Sequence, residues 1–228
     1  MFISYSNIIT WLQLRAMATF TLKTIILDFI LGTVCFFGDQ LLMMPTVHES
    51  DWLRVLVDET THGLVGVFAW AAVIDFEICW SHLFEIILSL FFSCAIDVDH
   101  VLAAGTFNLK AALSLPHRPI LHCTTLILLI SVVLFAVSRA SNSKHAKHLP
   151  LMFLVTTLSH HLRDGSRRGL WMCPFGSLSM QQYSMYIALI MILPLVAKFV
   201  VVSVDLANGF GGTIREKMEK RLDPLESV

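Results

Sequence analysis

The stretch YSMYIALIMILPLVAKFVVVSVDL, residues 183–206, contains only two charged side chains, Lys198 and Asp205. Its apolar residues follow one another continuously instead of alternating with polar ones. About 20 mostly apolar residues in a helix are enough to cross the hydrocarbon core of a bilayer. A continuous apolar run also favours a helix over a barrel strand, in which apolar and polar residues alternate. The stretch therefore predicts a membrane-spanning helix.

The remainder of the chain has the same character. Hydrophobic residues make up 56% of the 228 residues and charged residues 14%, whereas about a quarter of the residues in a soluble domain are charged. Further apolar runs that could span a membrane cover residues 24–44, 55–74, 83–105, 120–138 and 149–164. We therefore predict an all-α fold, a multi-pass transmembrane helical bundle of about six hydrophobic helices, five or six of them spanning the bilayer.

The predicted membrane domain covers residues 24–206, between an N-terminal segment, 1–23, and a polar C-terminal tail, 207–228. Lys and Arg are slightly more frequent on the side that holds both termini, which weakly favours cytosolic termini. A net charge of −1 argues against a nucleic-acid partner, because phosphate binding needs a concentrated basic face. The five scattered cysteines contain no C-x-x-C pair and are expected to be small buried hydrophobes.

Ionisable side chains interrupt the predicted spans. Such residues are costly in a membrane, so each is a functional hypothesis. Because consecutive spans run in opposite directions, the first, third and fifth loops lie on one side of the membrane. Most of the ionisable side chains in the predicted spans lie toward these loops, whereas Asp28 and Lys198 lie toward the other side. We therefore expect this majority to meet near one face of the membrane. The candidate metal ligands are His62, Asp97, Asp99, His100, His122, His160 and Asp164.

Imidazole and carboxylate ligands together suit a divalent metal, zinc or manganese/iron. Asp99 is also the expected general base, and Asp58 and His161 are expected to orient the ligands. Guanidinium groups near the same face could hold a phosphate or carboxylate. The arginines predicted to bind this anion are Arg118, Arg163, Arg167 and Arg168.

These parts suit a metal-dependent hydrolase of a phosphoester or lipid-like ester, with an intramembrane site open to one face. Two alternatives remain open: a non-catalytic membrane protein whose polar network only packs helices, and a metal or proton transporter, whose polar groups should reach both faces. Asp39 is expected to pair with an Arg or His. The histidines expected in solvated loops are His48, His82, His145 and His148.

Several motifs between residues 32 and 176 resemble the transmembrane protein 267 family of animals. They are DWLR (51–54), IDVDH (96–100), LKAAL (109–113), RPILHC (118–123), SHHLRD (159–164) and GLWMCPFG (169–176).

More distantly, the chain is similar to the bacterial YdjM-type inner-membrane proteins, which are named as metal-dependent hydrolases. This resemblance implies the same His/Asp site. This chain has Pro119 and Cys123 where the bacterial pattern has Gly and Ser. Its counterparts of the bacterial motif residues are His62, Asp97, Asp99, His100, His117, Arg118, His122, His160, Asp164, Pro174 and Phe175.

Overall fold

The computed structural model describes residues 21–141, 144–180 and 182–222. These residues form helices and no strand, which confirms the all-α prediction. Residues 1–20 of the predicted N-terminal segment and 223–228 of the predicted tail lie outside the described ranges. The helices are α1 (Leu22–Met43), α2 (Pro45–His48), α3 (Asp51–Ile74), α4 (Trp80–Ala95), α5 (Val98–Ala104), α6 (Leu109–Leu113), α7 (Thr124–Ser138), α8 (Lys144–Arg168) and α9 (Tyr183–Leu222).

Three of the described helical segments are long and apolar enough to cross a membrane: Leu22–Met43, Trp80–Ala104 and Tyr183–Ser203. Thr124–Ser138 is also apolar but shorter. The predicted five or six spans are therefore not confirmed, because three described helical segments have spanning length and composition. The other two predicted spans became α3 and α8, which carry the acidic residues and histidines within the helix, so that their apolar content is lower.

Helix α3 lies at the centre of the bundle, against α1, α4, α8 and α9. Val65, Ala69 and Trp70 of this helix have no exposed surface. The outer helices instead present large apolar side chains outward, including Phe29 of α1 and Val132 of α7. This arrangement suits a lipid environment, because polar helices are tolerated there when other helices enclose them.

Two glycines of α3 allow α4 to pack closely on it. A Cβ atom at Gly63 would lie 2.6 Å from Leu90 Cδ1, and one at Gly66 would lie 2.6 Å from Ser93 Cβ. Small residues at such a contact let helix backbones approach each other. Ser93 Oγ then donates a 2.6 Å hydrogen bond to the carbonyl oxygen of His62. The close contact brings the end of α4, and Asp97 after it, next to the part of α3 that holds His62.

Two predicted helices are interrupted where the candidate site residues lie. The run 83–105 is not one regular helix, because α4 ends at Ala95 and α5 begins at Val98, with Asp97 between them. The run 120–138 begins with one 3₁₀ turn, Ile120–His122, and its α-helix begins only at Thr124. His122 therefore lies in a 3₁₀ turn that precedes the α-helix. Cys123 is extended, and the Thr124 N–H donates to the Trp171 carbonyl (2.8 Å), so tertiary pairing interrupts the helix.

The four histidines expected in loops all lie in helices. His48 ends α2, and His82 lies in the first turn of α4. Helix α8 begins at Lys144, before the predicted start of the fifth span, and therefore includes positions 145 and 148. His148 is partly buried, with its Nδ1 3.6 Å from Glu85 Oε1.

Candidate metal centre

Four side chains converge at one end of the bundle, and we call them the His/Asp cluster: Asp97, His122, His160 and Asp164. One ligand atom from each lies within 4.8 Å of the others. His122 Nε2 lies 3.1 Å from Asp97 Oδ1 and 3.4 Å from Asp164 Oδ2, and His160 Nε2 lies 3.5 Å from Asp97 Oδ2. The cluster thus joins the break between α4 and α5, the turn before α7, and α8.

Backbone and helix geometry fix the orientation of His160. It shares one face of α8 with Asp164, four residues later. Its Nδ1 lies 2.8 Å from the Ser93 carbonyl oxygen, which can only accept a hydrogen bond, so Nδ1 is the donor. The lone pair is therefore on Nε2. This nitrogen is buried and has no hydrogen-bond partner among the described residues, although it faces two carboxylates.

Asp99 orients His122 from the other side of its ring. Asp99 Oδ1 lies 3.3 Å from His122 Nδ1, and Asp99 Oδ2 accepts a 2.7 Å hydrogen bond from the Leu121 N–H. A carboxylate on one imidazole nitrogen is the usual way to hold the other nitrogen toward a metal. The prediction made Asp99 a ligand and the general base, whereas the structure places it on the side of His122 that faces away from Asp97. It forms a second group of close ligand atoms with His100 and His122.

The two remaining predicted ligands lie at the margin of the cluster. The His62 ring stacks on that of His160 with centroids 3.7 Å apart, and its Nε2 lies 3.6 Å from Asp164 Oδ1. His100 Nδ1 lies 3.1 Å from the Ala112 carbonyl oxygen, which leaves Nε2 3.9 Å from Asp97 Oδ1. All seven predicted ligands therefore lie at the same end of the bundle, as expected from the alternating direction of the spans.

Sequence comparison gives the chain its relatives. It is 40% identical over 177 residues to transmembrane protein 267 from Danio rerio, a match that covers 77% of this chain and 80% of the relative. It is 41% identical over 171 residues to the Bos taurus protein (75% and 79%) and 38% identical over 194 residues to the Mus musculus protein (85% and 88%). The chain belongs to the transmembrane protein 267 family. No family model and no solved structure matches it.

The family name and the three apolar helices together make the chain a membrane protein. The resemblance to transmembrane protein 267 in the sequence motifs is therefore confirmed. The names of these relatives describe a transmembrane location and no activity. The chemistry of this family member depends on its own side chains.

Asp58 and His161, which are expected to orient the ligands, lie next to the candidate ligands His62 and His122. Asp58 Oδ1 lies 3.7 Å from His62 Nε2. His161 Nε2 lies 3.0 Å from the Leu121 carbonyl oxygen and donates to it, so its Nδ1 accepts from Thr124 Oγ1 at 2.9 Å. Both ring nitrogens of His161 have partners, so this residue connects α8 with the start of α7.

Arg163, predicted to bind an anion, has a different role in this family member. Its guanidinium is fully buried and lies 3.0 Å from Asp39 Oδ1 and 2.5 Å from Asp58 Oδ1. Two carboxylates hydrogen-bond to this buried guanidinium, so it is not available to bind a further anion. Asp39 also accepts a 2.5 Å hydrogen bond from Tyr186 Oη, which agrees with the structural role expected for Asp39.

The other three arginines remain near the outer surface. Arg167 donates to Asp58 Oδ2 (2.9 Å) and Asp164 Oδ1 (2.8 Å), and Arg168 is exposed. Burial lowers the pKa of the Arg118 guanidinium below its ordinary value; Asp164 opposes this shift and Arg168 adds to it. The guanidinium is still charged at neutral pH.

One site residue was missed in the sequence. The side chain of Glu59 in α3 lies close to that of Asp97. Two carboxyl groups in contact require a proton or a cation between them, because two negative charges at that distance repel. Spacing could have revealed Glu59, since it lies three residues before His62 and so on a neighbouring part of the same helical face.

Proposed function

We propose that this protein is a multi-pass membrane protein with a metal-dependent hydrolase site at one membrane face, which acts on a phosphoester or lipid-like ester. The observation that carries the proposal is the convergence of two imidazole nitrogens on two carboxylates. His122 Nε2 and His160 Nε2 both point toward Asp97 and Asp164. In this proposal α3, α7 and α8 complete the passage through the membrane, shielded by the apolar helices.

The residues present fit a divalent metal. Two imidazoles and two carboxylates suit zinc, manganese or iron. Each imidazole has its Nδ1 beside an acceptor, Ser93 O for His160 and Asp99 for His122, which directs the Nε2 lone pair inward. Without a cation, the partnerless Nε2 of His160 would be an unexplained cost in a buried site.

Each part of the chain has a defined task in this proposal. A divalent cation would supply a positive charge that polarises an ester oxygen and makes water more acidic. Asp97, His122, His160 and Asp164 would hold the cation, and Asp99 would keep His122 in position. Glu59 lies beside Asp97 at the same centre.

Metal or proton transport is a second candidate, and one observation favours it. Glu85 and His148 are a second acid–histidine pair inside the bundle, toward the other end of α3. A transporter would use such groups along a path that reaches both faces. The two functions differ in where the metal stays, because a hydrolase retains it during purification and a transporter releases it across the membrane.

Elemental analysis of the purified full-length protein tests the proposal. We expect on the order of one transition metal per chain, and Asp97→Asn or His160→Ala should lower this content at least tenfold, since even orienting residues are worth about 10–100-fold in affinity. His48→Ala, an exposed histidine at the end of α2, is the matched control and should retain the metal. A wild-type protein that holds no metal after reconstitution with zinc, manganese or iron would overturn the proposal and leave the network as helix packing.

A further inference from the structure

A cavity of about 150 Å³ lies beside the His/Asp cluster. Its walls come from α5, the loop between α6 and α7, and the end of α8. The residues that line it are His100, Leu113, Leu115, Pro116, His117, Arg118, Pro119 and Arg168.

Two residues connect this cavity with the cluster. His100 lines the cavity and has its Nε2 3.9 Å from Asp97 Oδ1. Arg118 lines the cavity and also a smaller pocket that His122 and Asp164 line. A molecule in the cavity would therefore have one end next to the candidate ligands.

The lining of the cavity is cationic. It includes the guanidinium groups of Arg118 and Arg168 and two imidazoles, and no carboxylate is among the lining residues. Arg118 Nη1 donates to the Gly169 carbonyl oxygen (2.8 Å), whereas Arg118 Nη2 is buried and without a hydrogen-bond partner in the part of the chain that the structure describes. A buried donor of this kind is costly unless an acceptor reaches it.

The backbone at Gly169, which accepts the hydrogen bond from Arg118, is fixed in place. Gly169 has φ +75, and a Cβ atom there would lie 2.1 Å from the Leu178 carbonyl oxygen, so only glycine fits. Its carbonyl oxygen is the acceptor for Arg118 Nη1. The guanidinium is therefore held in one orientation before any ligand arrives, which lowers the entropic cost of binding.

We propose that this cavity binds the phosphate group of a phosphate monoester, and that this ester is the substrate class of the neighbouring cluster. The inference rests on the proposed function. A monoester carries nearly two negative charges and three terminal oxygens. Two guanidinium groups and an imidazole can hydrogen-bond these oxygens together. A carboxylate ligand, by contrast, needs only one arginine.

Phosphate titration of the full-length protein, purified in detergent with its metal, tests this inference by calorimetry. Inorganic phosphate should bind the wild type, Arg118→Gln should weaken binding at least tenfold, and Arg168→Gln several-fold. Arg168 is exposed, so its replacement does not endanger folding. The control is Arg54→Gln, at an arginine that pairs with Asp51, three residues earlier, and this variant should bind phosphate like the wild type.

Metal content, measured on the same samples, separates this inference from the proposed function. We expect wild-type metal content in Arg168→Gln and Arg54→Gln. A protein that retains its metal but binds no phosphate, or binds it equally well with Arg168→Gln, would overturn the phosphate site and leave the metal site intact. A protein without metal whose phosphate binding still depends on Arg118 and Arg168 would retain the phosphate site and overturn the hydrolase.

Competition experiments identify the source of the phosphate. Dihexanoyl phosphatidic acid and glycerol 3-phosphate carry the same monoester, one on a lipid and one on a soluble molecule. Tenfold stronger competition by the lipid would assign the cavity to a headgroup, and equal competition would assign it to soluble esters; both support the monoester class. Dihexanoyl phosphatidylcholine has a capped diester, and competition by it as strong as that of the monoesters would overturn the inference.

Discussion

Two levels of α3 carry buried polar groups of different kinds. At the C-terminal end, Lys198 Nζ lies 2.5 Å from Asp75 Oδ1, and Asp75 also accepts 2.7 Å hydrogen bonds from Thr21 and Thr24. Near His62, at the middle of the helix, the carboxylates and imidazoles of the His/Asp cluster instead turn their acceptor atoms toward one another. His62 and Asp75 are roughly 20 Å apart along the helix.

This difference distinguishes charged groups that hold the fold together from charged groups that are candidates for binding a ligand. Burial raises the pKa of Asp75, but hydrogen bonds from Lys198, Thr21 and Thr24 outweigh it and hold the pKa below its ordinary value. Opposite charges with complete hydrogen bonding need no further group. Several acceptors that face one another do need one, because their lone pairs and charges repel. A cation from outside the chain would satisfy them.

The largest expected effect is that of metal removal. A chelator should lower the unfolding free energy of the wild type by about 4 kcal/mol if the metal is present at about a thousandfold above its dissociation constant. The Asp97→Asn variant should not respond to the chelator, and adding His160→Ala to it should cost little more, since the cluster acts as a unit. Thermal unfolding in detergent, with and without the chelator, measures the wild type and both variants. Losses of unfolding free energy that simply add, with no response to the chelator, would show that the His/Asp cluster does not bind a metal as a unit.

Asp75→Asn should cost about 3 kcal/mol, because it leaves the buried Lys198 charge without its partner. Thermal unfolding measures this loss, and the double variant Asp75→Asn with Lys198→Met should recover part of it. Metal content should remain at the wild-type level in both. If either variant loses the metal, the polar group around Asp75 and the His/Asp cluster are coupled and do not act independently.

Asp99→Asn should weaken metal binding about 10–100-fold, which corresponds to about 1.4–2.7 kcal/mol. The amide cannot supply the negative charge that holds His122 Nδ1–H. A metal titration with competing chelators measures the affinity. Equal losses for Asp99→Asn and Asp97→Asn would show that Asp99 binds the metal directly, contrary to its place beside Nδ1.

Glu85→Gln should have the smallest effect. Trp70 Nε1 donates a 3.0 Å hydrogen bond to Glu85 Oε2, and the amide oxygen of glutamine can accept the same bond. We expect a loss of about 1 kcal/mol in unfolding free energy and no change in metal content. A vesicle flux assay completes the test, since loss of metal flux in this variant would support transport over hydrolysis.

Several features follow from the sequence alone. The continuous apolar run 183–206 predicted a helix of spanning length, and Tyr183–Ser203 is one. Alternating chain direction predicted that His62, Asp97 and His160 meet, and they do so at one end of the bundle. These features could be predicted because hydrophobicity and helix direction are properties of local sequence.

Other features depend on contacts between distant residues. Nothing local to Arg163 distinguishes it from Arg168, yet it is buried between Asp39 and Asp58, while Arg168 lines the cavity. The extended Cys123 requires Trp171, and the contact of Glu59 with Asp97 requires the close packing of α3 on α4. Sequence patterns predict which side chains are polar and on which helix they lie. Which of those side chains pair with each other, and which are left to bind something else, depends on packing, because each such contact joins residues far apart in the chain.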